Sequence, residues 1–173
     1  MLLLIQCATH SCNHSHPELT THFALHLPDA KATQRLGSRL SLCLAPGFRL
    51  YLRGELGSGK TTLVRGVLEG LGYRGRVKSP SYALVELYVI SRLHLYHFDF
   101  YRFRTPEEWS EAGFRDHFSG AAACIVEWPE RAGDLLPGPD LEAVLARAGS
   151  GRDIRIRAFS SAGEQCLRTL PDD

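Results

Sequence analysis

The nine residues "GELGSGKTT" at 54–62 constrain this chain more than any other stretch. Gly54, Gly59, Lys60 and Thr61 satisfy G-x-x-x-x-G-K-[ST], the pattern of a loop that wraps a phosphate chain. Such a pattern has structural meaning only between a strand and a helix. Here "FRLYLRG" precedes it as a short strand, and "TTLVRGVLEGLG" follows with helical spacing and a stop at Gly72. The glycines let the backbone turn its amides inward, and the helix beginning near Lys60 adds its positive end. Glu55, Gly57, Ser58, Gly59 and Thr62 then belong to the cradle with Lys60, which reaches the β- and γ-phosphates, and Thr61, whose hydroxyl is a ligand for Mg²⁺.

A phosphate loop of this type needs a carboxylate near the metal, at the end of a neighbouring buried strand. "CIVEW" supplies Glu127 after three apolar residues, at the carboxyl edge where open α/β sheets bind ligands. Asp99 ends "LHLYHFD", whose alternation sets Leu93, Leu95, His97 and Asp99 on one face. It can orient an attacking water, touch the metal through water, or hold a loop through Arg102. His97 reads as a structural, hydrogen-bonded histidine. "KSPSY" at 78–82 occupies the place of a γ-phosphate sensor through Ser81, or is a simple turn at Pro80. Trp128 stands beside the proposed site and equally suits core filling. Arg74, Arg76 and Lys78 form a short basic run, by default a solvated face.

The rest of the chain reads as one α/β domain over about residues 21–160, with a disordered extension expected at 1–20 and a C-terminal segment at 161–173. "THFALHL" is a strand, and a helix follows with Leu36 and Leu40 four residues apart and Asp29 as its N-cap. "ALVELYVI" and "LHLYHFDF", parted by "SR", make an antiparallel hairpin. "TPEEWSEAG" is a capping box in which Thr105 and Glu108 exchange bonds with Pro106 at the first helical position. "DLEAVLA" and "DIRIRAFS" close the sheet, the second alternating Ile154, Ile156 and Ala158. The sheet is therefore mixed and partly antiparallel, flanked by helices. A formal charge of +1 argues against a protein that grips nucleic acid alone, while leaving room for shared contact with RNA. The five cysteines are odd in number and irregular in spacing, which suggests reduced thiols and no disulfide framework. "MLLLIQCA" lacks the basic flank and length of a signal peptide, so a cytoplasmic location is expected. "CATHSCNHSHPE" lacks the spacing of a structural zinc site.

"GELGSGKTT", "VKSPSYALVELY", "YHFDFYR", "PEEW" and "IVEWPER" occur in that order and at close spacing. Together they resemble the TsaE (YjeE) family over about residues 22–160. The resemblance implies a P-loop ATPase required for threonylcarbamoyladenosine modification of tRNA, working with TsaD and TsaB and leaving the transfer chemistry to TsaD. It implies ATP and Mg²⁺ as cofactors, triphosphate binding by Lys60 and the loop amides, metal binding by Thr61 and Glu127, and a catalytic or switch role for Asp99. It also places Thr33, on the first helix, beside the nucleotide. Ser81 departs from the family's usual threonine and keeps its hydroxyl.

Three functions compete on these residues: a conformational motor for a tRNA-modifying complex, a small-molecule kinase, and a nucleotide-gated binding module. A kinase of this kind carries an arginine-rich lid, and "ERAGDLLPGP" holds a single arginine. A GTPase is disfavoured by the lack of an NKxD-type element for guanine.

Overall fold

The computed structural model describes residues 22–91 and 93–170. Phe23, Leu25 and Leu27 point to one side of β1 (His22–Leu27), the period expected of a strand with one covered face. Asp29 then starts α1 (Ala30–Leu40), its carboxylate accepting from the Ala32 amide at 2.7 Å and satisfying one of the helix's free donors. β2 (Arg49–Arg53) runs into the glycine loop, and α2 (Lys60–Gly70) leaves it. β3 (Val85–Ile90) and β4 (Leu93–Asp99) pair antiparallel, with Val85 opposite Phe98. A short α3 (Glu107–Glu111) leads to β5 (Ala123–Glu127), buried at every position. β6 (Leu141–Ala148) and β7 (Gly151–Ala158) form a second antiparallel hairpin, followed by α4 (Ser161–Thr169).

The seven strands lie in the order β1-β7-β6-β2-β5-β4-β3. The central four, β6, β2, β5 and β4, run parallel, and antiparallel pairs close both edges. This is the mixed α/β sheet that the strand and helix periods predict. One face carries Leu50, Leu52, Ile125 and Leu145 under α1 and α2. The opposite face is an aromatic layer in which Tyr51, Phe98 and Val126 meet Phe100, Phe114 and Trp109 of α3. Residues of one strand alternate between the two clusters, as the two-residue period requires. α1 and α2 touch backbone to backbone: a Cβ at Gly37 would stand 2.3 Å from the Leu63 carbonyl oxygen, and one at Gly66 would stand 2.1 Å from that of Gln34.

Three local expectations change. Cys43 and Cys166 are joined in a disulfide, so reduced thiols throughout is wrong. Sequence spacing carried no hint of this pair, because the two lie 123 residues apart and meet only where α4 folds back past the end of α1, with their Cα atoms 5.5 Å apart. Cys124 is free and buried, and burial pushes its thiol up to about 12. The segment after 160 joins the main core: α4 contributes Cys166 and Leu167, and Leu170 follows them. Half of the capping box is present, since the Glu108 carboxylate accepts from the Thr105 amide at 3.0 Å while the Thr105 hydroxyl caps nothing and Pro106 takes the N-cap position. Cys7, Cys12 and the histidines near them lie outside the described residues, as does the extension they belong to. Among the described residues no helix is long and apolar enough to cross a membrane.

Candidate functional site

The glycine loop sits where the central parallel strands end. Gly54 presses against β6, where a Cβ would meet the Leu145 carbonyl oxygen at 2.2 Å. Gly59, at φ 107°, delivers the chain into α2 through a backbone region that other residues avoid. The amides that start α2 therefore converge on a cavity of about 370 Å³ lined by Gly57, Gly59, Lys60, Thr61 and Thr62. Converging N–H groups at a helix start form an anion site.

Lys60 is 4% exposed, and its Nζ donates to the carbonyls of Gly54 at 2.6 Å and Glu55 at 3.0 Å. The same Nζ lies 4.1 Å from the centre of the Trp128 ring. Burial lowers the ammonium from its ordinary value, and Glu127, Asp99 and Glu130 pull it back up. Opposite the loop, the Thr61 hydroxyl faces both Glu127 oxygens, at 2.9 and 3.2 Å. Glu127 is buried at the end of β5, and its Oε1 lies 3.0 Å from His97 Nε2, accepting from the Nε2–H tautomer. Strand register sets Asp99 directly beside Glu127. The Asp99 carboxylate accepts from the Ser79 hydroxyl and, at 2.9 Å, from the Tyr101 amide. Burial raises its pKa, as does Glu127, against the lowering by those two hydrogen bonds and by His97.

Asp99 and Glu127 thus line the same cavity as the loop, and so do Ser81 and Trp128. Three expected site residues, Thr33, Ser58 and Glu55, do not line the cavity. The Thr33 side chain is fully buried, with its hydroxyl donating to the Asp29 carbonyl at 3.1 Å, and the α1 residue that lines the cavity is Ala30. Ser58 is buried behind the loop, and Glu55 is exposed, contributing its carbonyl to Lys60. Arg102 lines the cavity and lies over the Tyr82 ring, 3.9 Å from its centre, while Asp99 is held by Ser79 and Tyr101. Arg74, Arg76 and Lys78 are exposed along a separate groove.

Sequence reasoning missed Ser79 and two arginines at the β6–β7 turn. Arg147 donates to the Leu56 carbonyl at 3.3 Å, and Arg152 lines the cavity beside Gly59. A signal existed. The alternation of Ile154, Ile156 and Ala158, carried back one step, sets Arg152 on the covered face.

The donor set suits a nucleotide with a divalent cation: an amide cup, one ammonium, and a hydroxyl–carboxylate pair with its oxygens already together. A family model described as "Threonylcarbamoyl adenosine biosynthesis protein TsaE" matches residues 27–154. The tRNA threonylcarbamoyladenosine biosynthesis protein TsaE of Haemophilus influenzae is 38% identical over 147 residues, covering 82% of this chain and 93% of that one. The protein of the same name from Bacillus subtilis is 38% identical over 120 residues, covering 69% and 73%. The crystal structure of Bacillus subtilis YdiB superposes with a TM-score of 0.71 at 31% identity, covering 85% of this chain and 92% of that one. Motif, sheet order and these likenesses agree, and the chain belongs to the TsaE family.

Proposed function

We propose that this protein binds and hydrolyses ATP with Mg²⁺ and serves threonylcarbamoyladenosine modification of tRNA as a motor or switch on a TsaB–TsaD complex. The observation that carries the nucleotide part is the Thr61 hydroxyl set against both oxygens of Glu127 at the mouth of the loop. Thr61 and Glu127 would hold a divalent cation, which would neutralise phosphate charge. The chain's own residues do the rest. The loop amides hold the phosphates, and Lys60 exchanges its carbonyl partners for phosphate oxygens. His97 keeps Glu127 turned toward Thr61. Asp99, buried next to that pair and fixed by Ser79 and Tyr101, is placed to orient an attacking water or to report the γ-phosphate to residues 79–82.

The partner role follows the relatives' names, which tie them to this tRNA modification. Any contact with tRNA is shared with those partners. ATP hydrolysis measured with and without TsaB–TsaD tests the proposal. Weak turnover alone and at least tenfold stimulation by the pair is expected, with γ-phosphate released as inorganic phosphate. Equal rates with and without partners would overturn the motor reading, and labelled phosphate recovered on a metabolite would favour a kinase.

A further inference from the structure

Both carboxylates that line the cavity lie on one side of β2, with Arg102 just beyond them, and two further arginines lie on the other side. β5 and β4, on one side of β2, bring Glu127 and Asp99. β6 and β7, on the other side, bring Arg147 and Arg152. The arginines lie on the inward rows of their strands: Leu141, Ala143 and Leu145 precede Arg147 at two-residue steps, and Ile154 and Ile156 follow Arg152 in the same way. Register sets Arg147 directly opposite Arg152. Like charges facing each other across two strands are destabilising unless an anion stands near both.

Their surroundings differ. Arg147 is exposed, tied to the Leu56 carbonyl and packed over Gly57. Arg152 is half-buried, and its guanidinium has no hydrogen bond or ion pair among the described residues. Its guanidinium covers Gly59, where a Cβ would meet Nη1 at 2.5 Å, and it lines the cavity with Lys60 and Thr62. A guanidinium without a partner, at the rim of an amide cup and facing a second cation, is arranged for a phosphate.

We propose that Arg152 is a binding residue of the nucleotide pocket, closing the cup from the β7 side on the phosphate nearest the nucleoside. This rests on the nucleotide reading above. The end of the phosphate chain follows from the strand order. The metal pair of Thr61 and Glu127 stands on the β5 side and serves the β- and γ-phosphates. Arg152 enters from the opposite side, in company with Ala30 at the start of α1, and so meets the other end of the chain.

Titration of the full-length protein with ATP and with ADP, each in Mg²⁺ and in EDTA, tests this for Arg152→Ala and Arg152→Lys. Thermal melting without nucleotide monitors folding, and Arg152→Gln carries the same comparison should the alanine variant not fold. Arg152→Ala is expected to raise Kd for ATP and ADP by the same factor, tenfold or more. The gain that Mg²⁺ gives should be unchanged, with partial recovery in Arg152→Lys. Kd values within twofold of the parent for both nucleotides would overturn the proposal. A loss for ATP with none for ADP would move the contact to the terminal phosphate and overturn the assigned end. If the parent bound neither nucleotide, the nucleotide reading would fall first. A parent that binds, matched by its alanine variant, sinks this inference alone.

Discussion

Asp99 shows what a buried carboxylate at the cavity costs in stability. It is 3% exposed, lies beside another buried carboxylate, and is held above the usual carboxylate range mainly by burial. The folded chain therefore binds that proton more tightly than the unfolded chain does. The associated stability is complete below about pH 4 and is lost as pH rises through the folded-state value, so ionised Asp99 costs stability at neutral pH. Asp99→Asn keeps an acceptor for the Tyr101 amide and removes the charge. It should melt a few degrees above the parent at pH 7, with the gap closing toward pH 4, and should hydrolyse ATP at least tenfold more slowly. A variant that melts below the parent at pH 7 would contradict this. That Lys60, Thr61 and Glu127 line one cavity was legible in sequence because a local motif or a strand end sets each of them. The burial of Thr33 was not, and the alternation of β7 gave the covered face for Arg152 but not the loop it meets, since what a side chain reaches depends on which face its element turns to a neighbour. α1 turns Thr33 into the core, and the β6–β7 turn brings Arg152 to the loop.

Among the elements, α1 controls how α2 presents its first turn. The two helices meet at Gly37 and Gly66 with no side chain between them. A methyl at Gly37 meets the Leu63 carbonyl and the Val67 amide, neither of which can move aside by changing rotamer. Gly37→Ala should cost about 1–3 kcal/mol, read as a lower urea midpoint with unchanged m. It should also weaken nucleotide binding, because α2 begins at the phosphate cup. Unchanged stability would mean that the helices have room to part. Strands and long helices were legible because hydrophobic period reports a covered face directly: β7 alternates, and β5 is apolar until Glu127. The capping box was half legible. Glu108 behaves as its spacing predicts, but the chain at Pro106 is already helical, leaving the Thr105 hydroxyl no cap to make.

Over the whole molecule, sheet order gives the site its polarity. Four parallel strands end on one edge, and ligands of open α/β sheets bind at that edge. The order β7-β6-β2-β5-β4 sets both cavity carboxylates, Asp99 and Glu127, on one flank of the loop and Arg152 on the other. Individual strands were legible, whereas this order was not, because it is decided by long-range pairing. The Cys43–Cys166 bond was hidden for the same reason. The central claim is that residues 54–62 and Glu127 make a single pocket for a metal–nucleotide complex. Isothermal titration of ATP into the parent, Lys60→Ala and Glu127→Gln, in Mg²⁺ and in EDTA, tests it most directly. The account predicts one site in the parent that tightens with Mg²⁺, no binding in Lys60→Ala, and binding in Glu127→Gln that has lost most of its response to Mg²⁺. Binding by Lys60→Ala equal to the parent, or a full Mg²⁺ response in Glu127→Gln, would contradict it.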